Sequence, residues 1–160
     1  MSTSVVVAIA AGASALAAII NLVIATTLAR IARRNAIGGV FIWAANLLSS
    51  DEIVAARRDI FRDLATHREA SGTYADMEDS LRGKFEKVCR TYDLVGIAGH
   101  NKMLPHNIIA AEWGNSIIRV HELCQPYLEE LRRDRGPAFW NNFSQLYAES
   151  MKIWEPHTNR

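Results

Sequence analysis

Arg57, Arg58, Arg62 and Arg68 fall within one short stretch that also holds Asp59 and Asp63. On a helix those acids pair with arginines three or four positions away, which gives a salt-bridged surface. Arg58 and Arg62 are themselves four apart, a like-charge spacing that costs stability unless a carboxylate or another anion sits between them. Such a face can bind phosphate. Arg119 stands three residues before Glu122 and between the apolar Ile118 and Val120, so it serves either a structural ion pair or a ligand contact. Arg57, Arg58, Arg62 and Arg119, with Lys102, form the candidate set for an anionic ligand. Tyr92, Trp113 and Tyr127 have rings that stack on bases, but they lie on apolar stripes where core packing accounts for them.

A second set of polar residues is embedded in an apolar run. Val5 to Ala29 carries no charged side chain, yet Thr3, Ser14 and Asn21 fall in one narrow sector at about 100° per residue. Asn21 lies deep in the run and needs a partner, either a neighbouring helix or water. Interhelical hydrogen bonding and pore lining are the two uses of such a stripe, and in a ring of copies Ser14 and Asn21 would line the path. The small pairs Ala8/Gly12, Ala11/Ala15 and Ser14/Ala18 allow close approach of helix backbones, so self-association is expected.

Other chemistry is poorly represented. The sequence contains no G-x-x-x-x-G-K-[ST], G-x-G-x-x-G, H-E-x-x-H or G-x-S-x-G. His67, His100, His106, His121 and His157 do not share helical metal-ligand spacing. His121, Glu122 and Cys124 are near neighbours in sequence, but adjacent helix positions point in different directions. Cys89 and Cys124 form neither a C-x-x-C pair nor a disulfide framework and read as small core residues. A non-enzymatic protein without metal or cofactor is expected.

The elements that position these residues are helices. The apolar run is long enough to cross a hydrocarbon core of about 30 Å at about 1.5 Å per residue. The first charges after it are Arg30, Arg33 and Arg34, no acid precedes Asp51, and residues 1–4 carry no charged side chain. Basic residues stay on the cytoplasmic side, so the expectation is a single-pass protein in the inner membrane with its N-terminus outside. A secretory signal peptide would carry its basic residues before the apolar region. The arginines meet anionic headgroups or line a cytoplasmic mouth. We expect a transmembrane helix and basic flank over 1–34 and a cytoplasmic helical domain over 35–160.

Beyond Arg30 there are 17 basic and 17 acidic residues, a balance that gives no electrostatic sign of nucleic-acid binding. Helical spacing runs throughout. Ile37, Val40, Phe41, Ala44, Leu47 and Leu48 form one face, with Gly38-Gly39 near its start permitting a hinge or close packing. Ser49 and Glu52 have capping-box spacing for a helix through Ile53, Ile60, Phe61 and Leu64. Thr73 and Asp76 suggest a cap for a helix bearing Met77, Leu81, Phe85, Val88, Tyr92 and Val95. Pro105 suits the start of a helix with Ile109, Trp113, Ile117, Val120, Cys124 and Leu128, kinked at Pro126 and ended by Gly136-Pro137. A last helix carries Phe139, Trp140, Phe143, Tyr147, Met151 and Trp154. The fold class is all-α: one N-terminal transmembrane helix followed by a helical bundle.

The E-x-x-x-A-R-R segment ending at Arg57-Arg58, the Tyr92-Asp93 helix, and the Arg119-x-x-Glu122 helix followed by Pro126 resemble the bacterial DUF4760 family. Where other members often carry Lys-Arg-Gly after the tyrosine helix, this chain has His100-Asn101-Lys102. The resemblance implies a small membrane-anchored helical protein. The architecture also resembles small membrane effectors of bacterial anti-phage systems paired with a nucleotidyltransferase. That resemblance implies a homo-oligomeric, ion-conducting effector in the lipid bilayer, gated by a nucleotide or oligonucleotide bound to its cytoplasmic bundle. The alternative is a membrane-tethered scaffold that passes no ions and recruits a cytoplasmic protein.

Overall fold

The computed structural model describes the backbone of residues 3–70 and 72–158, and side-chain environments over 18–70 and 72–154. Five helices follow one another: α1 (Thr3–Ser49), α2 (Asp51–Glu69), α3 (Asp79–His100), α4 (His106–Arg135) and α5 (Asn141–Thr158). Among the described residues there is no strand, so the protein is all-α. The chain divides into two compact units, 1–39 and 40–160.

In the first unit every described side chain from Ala18 to Ala36 is exposed, including Ile19, Ile20, Leu22, Val23, Ile24, Leu28 and Ile31. Thr26 and Thr27 both donate their hydroxyls to the Val23 carbonyl, as helical threonines do when no other acceptor is at hand. Asn21 makes no side-chain hydrogen bond and is exposed; the side chain of Ser14 lies outside the described residues. Among the described residues no single helix is long and apolar enough to cross a membrane. The described part of α1 meets that standard only when taken together with α2 across the bend at Ser50. Helix α1 continues through Gly38 and Gly39, where a Cβ would touch nothing within 4 Å in the single chain.

The second unit has its own core. Ala44 and Leu48 of α1 are buried, as are Ile53, Ala56, Ile60 and Leu64 of α2, spaced to share one helical face. Leu81, Phe85, Val88, Cys89, Tyr92 and Val95 of α3 meet the stripes of α2 and α5. Ile109, Ile117, Val120, Cys124, Leu128 and Leu131 line α4, and Phe143, Leu146 and Ser150 line α5. Helix α5 packs on both α3 and α4, while α2 packs chiefly on α3. Helices α3 and α5 come close at Gly96, where an added Cβ would collide with the backbone carbonyl of Asn142. A second glycine, Gly114, makes room for the Trp154 ring, whose Nε1 donates to the Ala110 carbonyl at 2.6 Å.

The helix ends follow capping chemistry with shifts of a residue or more. Ser50, one place after the expected Ser49, is the N-cap of α2 and accepts from the Ile53 N–H, while Asp51 and Glu52 occupy the first turn and His67 and Arg68 the last. Thr73 does bond Asp76, through both its N–H and its hydroxyl, but the pair closes a turn, and α3 starts only at Asp79. Arg82 reaches back to the Ala75 and Met77 carbonyls and holds that turn against the helix. Helix α4 runs through Pro126 as one element and stops before Gly136, which adopts φ 98°. Phe139 and Trp140 lie in the turn before α5, with Trp140 at φ 48°.

Candidate functional site

Arg57 occupies the interior junction of the second unit. Its Nη1 donates to the Tyr92 hydroxyl at 3.0 Å and to Ser116 Oγ at 2.9 Å, and its Nη2 donates to the Leu48 carbonyl at 3.0 Å. Tyr92 and Ser116 are themselves joined at 2.7 Å. One guanidinium therefore ties the end of α1 to α2, α3 and α4, and its planar fork suits three fixed acceptors. That geometry positions helices.

The other arginines of the candidate set point elsewhere. Arg58 is exposed. Arg62 forks onto Asp63 at 2.6 and 2.9 Å and lies 3.4 Å from Asp59, which Lys84 approaches at 2.7 Å. Its hydrogen bond to Asp63 raises the Arg62 pKa and lowers that of Asp63, and the Lys84 hydrogen bond lowers that of Asp59. The carboxylates of Asp59 and Asp63 thus pair with Arg62. Arg119 lies over the Phe61 ring at 5.0 Å, a cation–π contact between α4 and α2. Lys102 is exposed in the α3–α4 turn with φ 57°. The structure does not gather these five residues into one site.

A second, part-buried polar group joins α4 to α5. Arg132 donates to the Phe139 and Trp140 carbonyls and to Ser144 Oγ, and Ser144 Oγ lies 2.8 Å from His121 Nε2. The His121 ring is stacked on Tyr147 at 4.2 Å and meets Phe143 edge-on at 5.0 Å. Burial, aided by the Arg132 charge, lowers its pKa to about 4, so it is neutral at pH 7. The other ring nitrogen, Nδ1, is buried without a hydrogen-bond partner. A nucleophilic dyad needs a group to orient that nitrogen, and none is present among the described residues. Cys89 and Cys124 are both buried; burial first, then the hydrogen bond with Cys124, pushes the Cys89 thiol well up and keeps it protonated. Among the described residues no cluster of His, Cys, Asp or Glu is arranged to hold a metal ion.

Between α3 and the α4–α5 turn lies an open cleft of about 520 Å³. Lys87, Arg90 and Arg135 line it together with Leu94, Phe139 and Trp140. Cations beside planar rings can hold a phosphorylated aromatic molecule. The sequence signal that would have found it is the spacing of Lys87, Arg90 and Leu94 along one helical face, with Arg135 and two aromatics across the Gly136-Pro137 break.

The family described as a domain of unknown function, DUF4760, matches residues 6–150. The chain belongs to this family. No curated protein and no solved structure matches it. In this DUF4760 chain the residues that carry the resemblance hold the fold: Arg57 and Tyr92 meet at the interior junction, and Asp93 bonds the start of α5. Of the cleft residues, Arg90, Thr91 and Leu94 lie in the Tyr92-Asp93 segment, while Lys87, Arg135, Phe139 and Trp140 lie outside the quoted segments.

Proposed function

We propose that the chain is an oligomeric transmembrane effector of anti-phage defence. In this reading the apolar run of α1 crosses the bacterial inner membrane with the N-terminus outside, and copies associate through its small-residue faces. The ring conducts ions past Asn21 and Ser14. The second unit lies in the cytoplasm and receives a nucleotide or short oligonucleotide made by a partner nucleotidyltransferase, and differential affinity for closed and open states does the gating.

One observation carries the reading: a helix surface of large apolar side chains stands uncovered on a chain whose second unit has a complete core of its own. Covering seven such side chains is worth on the order of 10 kcal/mol, so lipid or other copies of the helix are strongly favoured neighbours. The satisfied hydroxyls of Thr26 and Thr27 suit a medium without water, and the unbonded amide of Asn21 suits a polar path or a neighbouring helix.

The second reading is a membrane-tethered scaffold that recruits a cytoplasmic protein. The exposed apolar side chains of Leu94, Ile97 and Met103 support it. Reconstitution of the full chain into liposomes separates the two. An effector passes ions in a nucleotide-dependent manner, whereas a scaffold passes none at any nucleotide concentration.

A further inference from the structure

We infer that the cleft between α3 and the α4–α5 turn is a mononucleotide site, with phosphate held by Arg90, Lys87 and Arg135 and the base against Trp140, Phe139 and Leu94. This rests on the reading that the second unit is a ligand receptor, and it moves the receptor away from the arginines of α2.

The charge pattern supports the phosphate end, with three cations against the one carboxylate, Glu86, that also lines the cleft. Lys87 and Arg90 are one turn apart on the same face of α3, so both heads reach one anion. Lys87 pairs with Glu52, and Arg135 lies 3.8 Å from Glu86, which already accepts the Tyr74 hydroxyl. Arg90 is exposed and has no hydrogen bond or ion pair, which leaves a whole guanidinium fork for a phosphate. The two paired cations can exchange a carboxylate for a more highly charged phosphate, since exposed pairs of this kind are weak.

The aromatic end is held in place. Trp140 adopts φ 48°, a conformation that L side chains rarely take, and it persists because Arg132 clamps the carbonyls of both Phe139 and Trp140. The two rings lie 4.3 Å apart, and Arg135 sits over the Phe139 ring at 5.0 Å. One turn beyond Arg90, Leu94 exposes its side chain at the cleft wall, where water gains nothing and a planar base does. Gly83 keeps the other end of the α3 wall low, since a Cβ there would touch nothing within 4 Å. A volume of about 520 Å³ is that of a small-ligand pocket and suits one nucleotide better than a strand.

The test is calorimetric titration of the detergent-solubilised full chain with AMP, adenosine, ribose 5-phosphate and inorganic phosphate. AMP is expected to bind at least about tenfold tighter than any of the three fragments, because only AMP uses both ends. Arg90→Glu is expected to weaken AMP about tenfold or more while leaving adenosine unchanged, and Trp140→Leu to reduce AMP to the level of ribose 5-phosphate. Arg90 is unpaired and exposed, so its variant folds even where the Trp140 variant does not. No AMP binding by the folded wild-type chain, or AMP binding unchanged by Arg90→Glu, overturns the proposal. Ion flux is read after the same protein is reconstituted into liposomes: AMP bound in the cleft with no flux defeats the channel and leaves the cleft standing.

Discussion

Asp93 accepts the backbone N–H of Phe143 at 3.0 Å, so a carboxylate on α3 caps the start of α5. The first turn of α5 contains no acidic residue of its own, and a negative charge beside a helix N-terminus is favourable. Asp93→Ala leaves that N–H without its acceptor beside the tight Gly96 crossing. The expected loss is about 1–2 kcal/mol, with Asp93→Asn recovering part of it, read from denaturant unfolding of the full chain in detergent. Equal stability of Asp93→Ala and wild type would sink the capping role.

Arg57 and Arg58 are adjacent in sequence and opposite in consequence. Arg57→Ala strips three acceptors of their donor, including the Leu48 carbonyl at the end of α1, and is expected to cost about 2–4 kcal/mol. Arg58→Ala, at an exposed position, is expected to stay within about 0.5 kcal/mol of wild type. Tyr92→Phe removes one acceptor only and should fall between them. Thermal melts of the three variants decide it, and a neutral Arg57→Ala would show that the junction is ornamental.

The helices of the second unit are legible because they carry buried stripes at helical spacing, as Ile53, Ile60 and Leu64 do on α2. Their ends are less so. Either Ser49 or Ser50 can cap α2, and the two differ only in which hydroxyl reaches a free N–H three residues on. Trp140 sits outside α5 because its backbone is held by Arg132, a contact that local spacing does not encode. Arg57 stood in the candidate set since its neighbours are charged, yet its partners Tyr92 and Ser116 lie on other helices. The cleft escaped for the same reason: Arg90 and Arg135 are far apart in the chain and meet only when α3 packs beside the end of α4.

Acid should loosen the second unit through His121. Its folded pKa of about 4 lies below the ordinary value of 6.5, so between those values the unfolded chain binds the proton and the folded one does not. The contribution is fully present above pH 6.5 and lost as pH falls toward 4, at most about 3 kcal/mol for a shift of this size. His121→Phe keeps the stacking with Tyr147 and removes the titration, so its unfolding free energy should lack that acid slope. Parallel pH profiles for the variant and wild type would assign the acid sensitivity to other groups.

On the channel reading proposed above, a substitution at Asn21 separates conduction from assembly. Its amide is the one polar side chain of the described part of the apolar run without a hydrogen bond, while Thr26 and Thr27 are satisfied on their own helix. If copies surround a path, a ring of amides replaces part of an ion's hydration, and a ring of leucines closes the path by dewetting. Asn21→Leu is therefore expected to abolish ion flux in liposomes while crosslinking still captures oligomers held by the small-residue pairs. Loss of oligomers together with flux would instead make Asn21 an interhelical hydrogen-bond donor, and unchanged conductance would remove it from the pore altogether. Asn21→Ser, which keeps a polar group at the same depth, should restore flux only if the side chain faces the ions.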